Sequence, residues 1–272
     1  MPPGTVSFLT DYGTRDESVG VCKAVMLGLA PALTIVDITH EIPPHDVKTG
    51  ALTLARAAPY LPSGIVVAVV DPGVGTGRRA IAVEVEHGFL LGPDNGLLAP
   101  AAALLGGARR VVHLTNESYH LPSPGPTFAG RDVFAPAAGH LASGVAMAEL
   151  GEPVDPVSLV PGLVPLPEHR DDGAVVGEVL WIDRFGNCQL NVDAEELETR
   201  GLGPGGPVDV EIRGERRAVR WVDTYADARA SEVVLVVDSY GLVALAVDRG
   251  SAAETCRLAP FTSVVLRPGG PA

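Results

Sequence analysis

Three runs of β-forming residues near the start of the chain each carry an acid at or beside their end, and a helical pattern separates each from the next. Residues 5–10 stop at Asp11-Tyr12-Gly13, residues 33–38 contain Asp37 and stop at Thr39-His40, and residues 64–70 stop at Asp71-Pro72-Gly73. Between the first two, Val21, Val25 and Leu29 recur every four residues, with Cys22 and Met26 on the same face, which predicts a helix over 20–29. Between the second and third, Pro43-Pro44 breaks the chain, and Asp46 is placed to cap a helix running to Ala57. Strand–helix–strand–helix–strand requires parallel pairing with right-handed crossovers. The strand ends then share one sheet edge, where open α/β sheets place their chemistry, so Asp11, Asp37 and Asp71 are candidates to line one cleft. Asp37 sits slightly before its strand end and reads also as a residue that orients a turn.

The third acid opens a glycine-rich turn, Asp71-Pro72-Gly73-Val74-Gly75-Thr76-Gly77-Arg78-Arg79. Such a turn lets backbone N–H groups approach a ligand, and it folds back far enough for Arg78 to face Asp71. A tight turn with a surface ion pair accounts for the same residues equally well. Beyond it, 80–86 and 89–91 predict a hairpin around His87-Gly88, followed by a Pro93-Asp94-Asn95-Gly96 turn, a helix over 97–105 and a strand over 110–114. A proline-rich loop over 121–126 leads into Thr127-Phe128-Ala129-Gly130-Arg131-Asp132, which opens a helix ending near Gly144.

Prolines recur over 151–173 with little periodicity, which predicts a linker between an N-terminal domain (1–150) and a C-terminal one (174–272). In the latter, short strands are predicted at 174–183, 208–212, 218–222, 233–237, 242–247 and 263–266, a pattern of a small β-barrel or sandwich. The expected fold is an α/β domain with a mainly parallel sheet, plus a smaller all-β, barrel-like domain. Aromatics are only 5% of the chain, so the core must be built from Val, Leu, Ile and Ala.

A net charge of −13 argues against nucleic acid or anionic membrane as a partner. Cys22, Cys188 and Cys256 are odd in number and form no CxxC pair, which fits reduced thiols better than disulfides or a zinc site. With no basic-then-apolar leader and no apolar run long enough to span a membrane, a cytoplasmic protein is expected. The three acids with His40, His45 and Asn95 raise a divalent-metal phosphohydrolase as an alternative, although their spacing follows no established metal motif. A Walker-type loop is excluded because Gly73–Gly77 lacks the following Lys-Ser/Thr. In the C-terminal half, Asp183-Arg184-Phe185-Gly186-Asn187 offers an amide suited to an adenine edge and a ring to pack on it; a polar β-turn is the competing reading. Asp238-Ser239-Tyr240-Gly241 by itself is a hairpin turn.

Seven short motifs occur in one order: Phe8-Leu9-Thr10-Asp11-Tyr12-Gly13, Asp37-Ile38-Thr39-His40, Val70-Asp71-Pro72-Gly73-Val74-Gly75-Thr76, Gly92-Pro93-Asp94-Asn95-Gly96, Thr127-Phe128-Ala129-Gly130-Arg131-Asp132, Asp183-Arg184-Phe185-Gly186-Asn187 and Gly250-Ser251-Ala252-Ala253. In this the chain resembles the S-adenosyl-L-methionine (SAM) hydroxide adenosyltransferases, or SAM hydrolases, relatives of the fluorinase and chlorinase. The resemblance implies conversion of SAM and water to adenosine and L-methionine without a cofactor or metal, in a homotrimer with SAM bound between neighbouring subunits. It implies that Asp11 holds the ribose hydroxyls, with Asp16 and Ser18 close by, and that Asp183 binds the methionine ammonium. It further implies that Ser239 and Tyr240 bind the carboxylate, and that Asn187 reads adenine beside Phe185 and the backbone near Val247. Tyr240 stands where the fluorinase has an arginine. Asp71 and Arg78 match two members of an Asp-Arg-His triad that handles the attacking water. The triad histidine belongs to a Thr-Phe-His-Gly-Arg-Asp motif, and here Ala129 occupies its position. The expected function is therefore SAM hydrolysis weakened at that step, with a SAM- or adenosine-binding protein of little turnover as the alternative.

Overall fold

The computed structural model describes residues 3–162 and 164–269. They form two compact units, Met1–Val164 and Pro165–Ala272.

The first unit contains β1 (Thr5–Thr10), α1 (Ser18–Leu29), β2 (Thr34–Thr39), α2 (Val47–Ala57), β3 (Gly64–Val69), β4 (Ala80–Val85), β5 (Gly88–Pro93), α3 (Ala99–Leu104), β6 (Arg110–His113), α4 (Ala135–Ala142) and β7 (Glu152–Val154). Its strands make one sheet in the order β2-β1-β3-β5-β4-β6-β7. β1 pairs parallel with both β2 and β3, and β3 pairs parallel with β5; only β4 and β7 run against the rest. The inner strands β1, β3, β4 and β5 are largely apolar because both faces are covered. Val67 and Val69 pack with Met26 and Phe134 on one face, while Val66, Ala68 and Val70 pack with Leu54 and Leu97 on the other. Asp46 caps α2, its carboxylate accepting from the Thr49 N–H at 2.9 Å.

Two expectations need correction here. The helix expected after Thr127 is broken in two: Gly130–Phe134 is a π turn, and α4 begins only at Ala135. The stretch expected as linker is partly docked on the sheet. Glu152–Val154 pairs with β6, and Arg79 binds the Ser158 hydroxyl (3.0 Å) and carbonyl (2.6 Å). The periodicity is low there because a short edge strand and a loop pinned by polar bonds need no apolar repeat.

The second unit contains β8 (Glu168–His169), β9 (Val175–Ile182), β10 (Cys188–Asp193), α5 (Ala194–Glu198), β11 (Val208–Ile212), β12 (Glu215–Trp221), β13 (Val233–Val237), β14 (Leu242–Val247), α6 (Ala252–Cys256) and β15 (Ser263–Pro268). The order β10-β14-β13-β12-β11-β15-β9 closes through a β9–β10 pairing into a seven-stranded barrel, with β8 added on β9. Val179, Leu190, Val210, Leu235, Leu245 and Val264 fill it. The closing strand, β10, was not among the expected six. Its apolar residues Cys188, Leu190 and Val192 do alternate, but Gln189 and Asn191 between them are buried as well. Gln189 binds Asp238, and Asn191 binds the Glu178 N–H (2.6 Å) and the Pro165 carbonyl (2.9 Å). All three cysteines are buried and unbridged. Among the described residues, no helix is long and apolar enough to cross a membrane.

Candidate active site

Asp71 follows the central strand β3 directly, at the edge where β1 also ends. Its side chain is only 5% exposed and that of Arg78 15%, so the pair is buried and the surface-ion-pair reading fails. The Arg78 Nε lies 2.8 and 3.0 Å from the two carboxylate oxygens, and Nη2 donates to Oδ2 as well. The intervening turn is held by the Val74 N–H on the Asp71 carbonyl (3.2 Å) and the Thr76 hydroxyl on the Gly73 carbonyl (2.7 Å). Below, the guanidinium stacks over the Phe134 ring at 5.6 Å, a contact set by the π turn. Burying two charges costs several kcal/mol per ion unless geometry compensates, and fork-like bonding with an aromatic floor is the arrangement that does so.

Asp11, at the neighbouring strand end, accepts the His45 N–H on Oδ2 at 2.9 Å. His45 presents that N–H from a left-handed conformation, φ 70°. Behind it runs a relay from the interior to the surface: the buried Thr10 hydroxyl to His40 Nδ1 (2.9 Å), His40 Nε2 to Asp37 (3.1 Å), and Lys23 to the exposed Asp37 (2.6 Å). The His40 carbonyl also accepts the Gly13 N–H at 2.7 Å. Asp37 is thus held by Lys23 and His40. Burial raises its carboxyl pKa, but the bonds from Lys23 and His40 outweigh this and hold it below the usual range. Asp16 is exposed, and Ser18 is the half-buried first residue of α1. Asn95 donates to the Val70 carbonyl at 2.9 Å. The acids and histidines raised for a metal centre do not converge, and no group of three or more such side chains arranged for a metal occurs among the described residues.

A cavity of about 710 Å³ opens beside the buried pair, with Thr76, Arg78, His120, Ala129 and Asp132 in its wall. Ala129 precedes the π turn and contributes only a methyl group. His120 binds the Leu114 carbonyl, and burial pushes its pKa down. Asp132 is tied to Arg131 (2.6 Å), which itself covers the Phe128 ring at 5.0 Å.

In the barrel unit, the Asp183–Asn187 segment is a turn organised by its own acid. Asp183 Oδ1 accepts the Phe185 and Asn187 N–H groups (2.8 and 2.9 Å), and Oδ2 accepts the Asn187 amide (2.8 Å). Gly186 has φ 84°, and a Cβ there would fall 2.1 Å from the Ser251 hydroxyl, so only glycine lets this turn sit on the start of α6. The Gly186 carbonyl accepts the Ala253 N–H at 3.0 Å, joining two of the sequence motifs. A second cavity, about 570 Å³, is lined here by Phe185, Asn187, Tyr225, Val247, Arg249 and Ser251. Phe185 is 76% exposed, an apolar ring presented with little cover. Tyr225 escaped the sequence reading; an aromatic inside the polar loop Asp223-Thr224-Tyr225-Ala226-Asp227 was the available signal. Ser239 and Tyr240 are exposed on the β13–β14 turn, which Asp238 shapes by accepting the Tyr240 and Leu242 N–H groups (2.8 and 3.1 Å). They do not line this cavity.

Comparison with known proteins matches the same two units. Residues 6–151 match the family model described as the SAM hydroxide adenosyltransferase N-terminal domain, and residues 177–265 that of the C-terminal domain. A relative from Salinispora tropica named (R)-S-adenosyl-L-methionine hydrolase is 45% identical, covering 95% of this chain and 96% of its own length. One from Actinoplanes sp. named fluorinase is 30% identical over 89% of this chain and 90% of its own. The crystal structure of a conserved protein from Thermotoga maritima superposes with a TM-score of 0.89 at 30% identity, covering 96% of this chain and 99% of that one.

Proposed function

This chain belongs to the SAM hydroxide adenosyltransferase family, and from that premise we propose that it hydrolyses SAM to adenosine and L-methionine by attack of water at the ribose C5′. The observation that carries the reading is the buried Asp71–Arg78 pair in and beside a cavity wall at the strand-end edge of the sheet. The sulfonium is already a good leaving group, so no acid is needed to expel methionine and no cofactor is called for. What must be supplied is a desolvated oxygen nucleophile about 3 Å from the carbon and in line with the C–S bond. Water binds with Asp71 accepting its proton and Arg78 facing the charge that develops on oxygen. The O–C5′ bond forms as C5′–S breaks, the bonding pair stays on the methionine sulfur, and the water proton passes to Asp71 and then to solvent.

Substrate contacts divide accordingly. Asp11 keeps Oδ1 available for the ribose hydroxyls, while the His45 N–H fixes Oδ2. Asp183 has used three of a carboxylate's roughly four lone-pair sites on its own turn, which leaves one for the methionine ammonium. Asn187 retains its carbonyl and one N–H for adenine. Asp16 and Ser18 stand near the ribose, Ser239 and Tyr240 hold the methionine carboxylate, and Phe185 with the backbone at Val247 bounds the base. The assembly that goes with this reading is a cytoplasmic homotrimer with SAM bound between neighbouring subunits; a mass in solution of three 28.1 kDa chains checks it.

Ala129 favours slow turnover, because a methyl group can neither accept a proton from water nor orient it. Loss of a positioned acid–base group costs about 10²–10⁴-fold in rate. Incubation with SAM followed by chromatography should yield adenosine and methionine, accelerated by Ala129→His. Absence of both products in both proteins would overturn the proposal, and tight binding without release would favour a binding protein.

A further inference from the structure

The methyl group of Ala129 leaves the attacking water with two partners on the reading above, and a third polar group points to the same place. β1 and β3 run parallel with Thr10 opposite Val69, so two residues further on Tyr12 stands beside Asp71. The Asp11 N–H, 3.4 Å from the Val69 carbonyl, keeps the two strand ends together. From there the Tyr12 ring reaches to the 127–130 turn. It meets the Phe128 ring edge-on at 5.6 Å and sets its hydroxyl on Gly130, immediately after Ala129. A Cβ at 130 would fall 2.2 Å from that oxygen and 3.0 Å from the ring carbon bearing it, so Gly130 and Tyr12 are a matched pair. No described residue hydrogen-bonds the hydroxyl, although the ring itself packs against the apolar core. We infer that the Tyr12 hydroxyl is the third partner of the attacking water, bridging the Asp71–Arg78 pair and the turn where an imidazole is missing.

The inference rests on the hydrolase reading and deepens it. Burial pushes the Tyr12 phenol well above its ordinary range, with Cys22, Asp11 and Asp71 adding to the effect and Arg78 opposing it. A phenol kept neutral cannot act as the base; it accepts one O–H of the water while Asp71 accepts the other, and it neither gains nor loses a proton over the reaction. Its contribution is orientation, worth about one hydrogen bond.

Turnover of SAM by Tyr12→Phe, Ala129→His and Tyr12→Phe/Ala129→His tests this. Tyr12→Phe should lower kcat about tenfold while KM and Tm stay near their starting values. Ala129→His should raise kcat by a larger factor in the Tyr12→Phe background than in the parent, because the imidazole takes over the vacated role. An unchanged kcat in Tyr12→Phe, or an equal response of both backgrounds to Ala129→His, would each overturn the inference while leaving the hydrolase reading in place. If neither the parent nor Ala129→His releases adenosine, the hydrolase reading fails and takes this inference with it.

Discussion

The two units use their acids in opposite ways. In the α/β unit, Asp71 is satisfied by the guanidinium of a residue seven positions on, which reaches back across the turn. In the barrel unit, Asp183 spends both oxygens on N–H groups two to four residues away, and Asp238 spends one so, its other oxygen binding Gln189. A carboxylate matched by a charge keeps a defined position beside a cavity and faces chemistry. A carboxylate occupied by its own turn makes that turn rigid, and what it offers a ligand is the turn's shape and one remaining lone pair. The comparison separates rate from affinity: changes in the first unit should fall on kcat, and changes in the second on KM.

The largest effect should come from Asp71→Asn, which removes the proposed proton acceptor and leaves Arg78 without its counter-charge. The account expects a 10²–10⁴-fold loss in kcat and a destabilisation of about 3–5 kcal/mol, read by steady-state kinetics and thermal unfolding. Next, Gly186→Ala should force the 183–187 turn off Ser251, where a Cβ finds only 2.1 Å. KM should rise about a hundredfold with kcat of the saturated enzyme changed little, the size of a lost charged contact or two. Asn187→Ala should weaken binding about tenfold by removing the amide proposed to read adenine, measured as the Kd for adenosine by titration. A kcat defect confined to the barrel variants would break the division of labour. The smallest effect should be that of a chelator: adenosine release is expected to be unchanged by it, whereas a metal-dependent phosphohydrolase would stop.

Much of the α/β unit was legible because its signals are local. Acids at strand ends, the helical repeat of Val21, Val25 and Leu29, and the cap at Asp46 each lie within a few residues of what they specify. Asp71 and Arg78 could be paired from the turn between them; that the pair is buried could not, since the burial comes from Phe134 and the π turn far along the chain. Asp37 was legible as a residue that orients its turn, since His40 lies three positions on, whereas its bond to Lys23 depends on how α1 packs beside β2. β10 went unseen because buried Gln189 and Asn191 made it look polar, their partners lying in the β13–β14 turn and on β9. Tyr225 was missed because a loop aromatic has no period to announce it, and its meeting with Phe185 and Asn187 depends on barrel closure.

The central claim is that water, placed by Asp71 and Arg78, becomes the 5′ oxygen of adenosine. Turnover of SAM in ¹⁸O-labelled water, with the products resolved by mass spectrometry, tests it most directly. The account predicts adenosine carrying a single ¹⁸O at the 5′ position together with unlabelled methionine, and loss of that product in Asp71→Asn. Adenosine without the label, or labelled adenosine formed equally fast by Asp71→Asn, would contradict it.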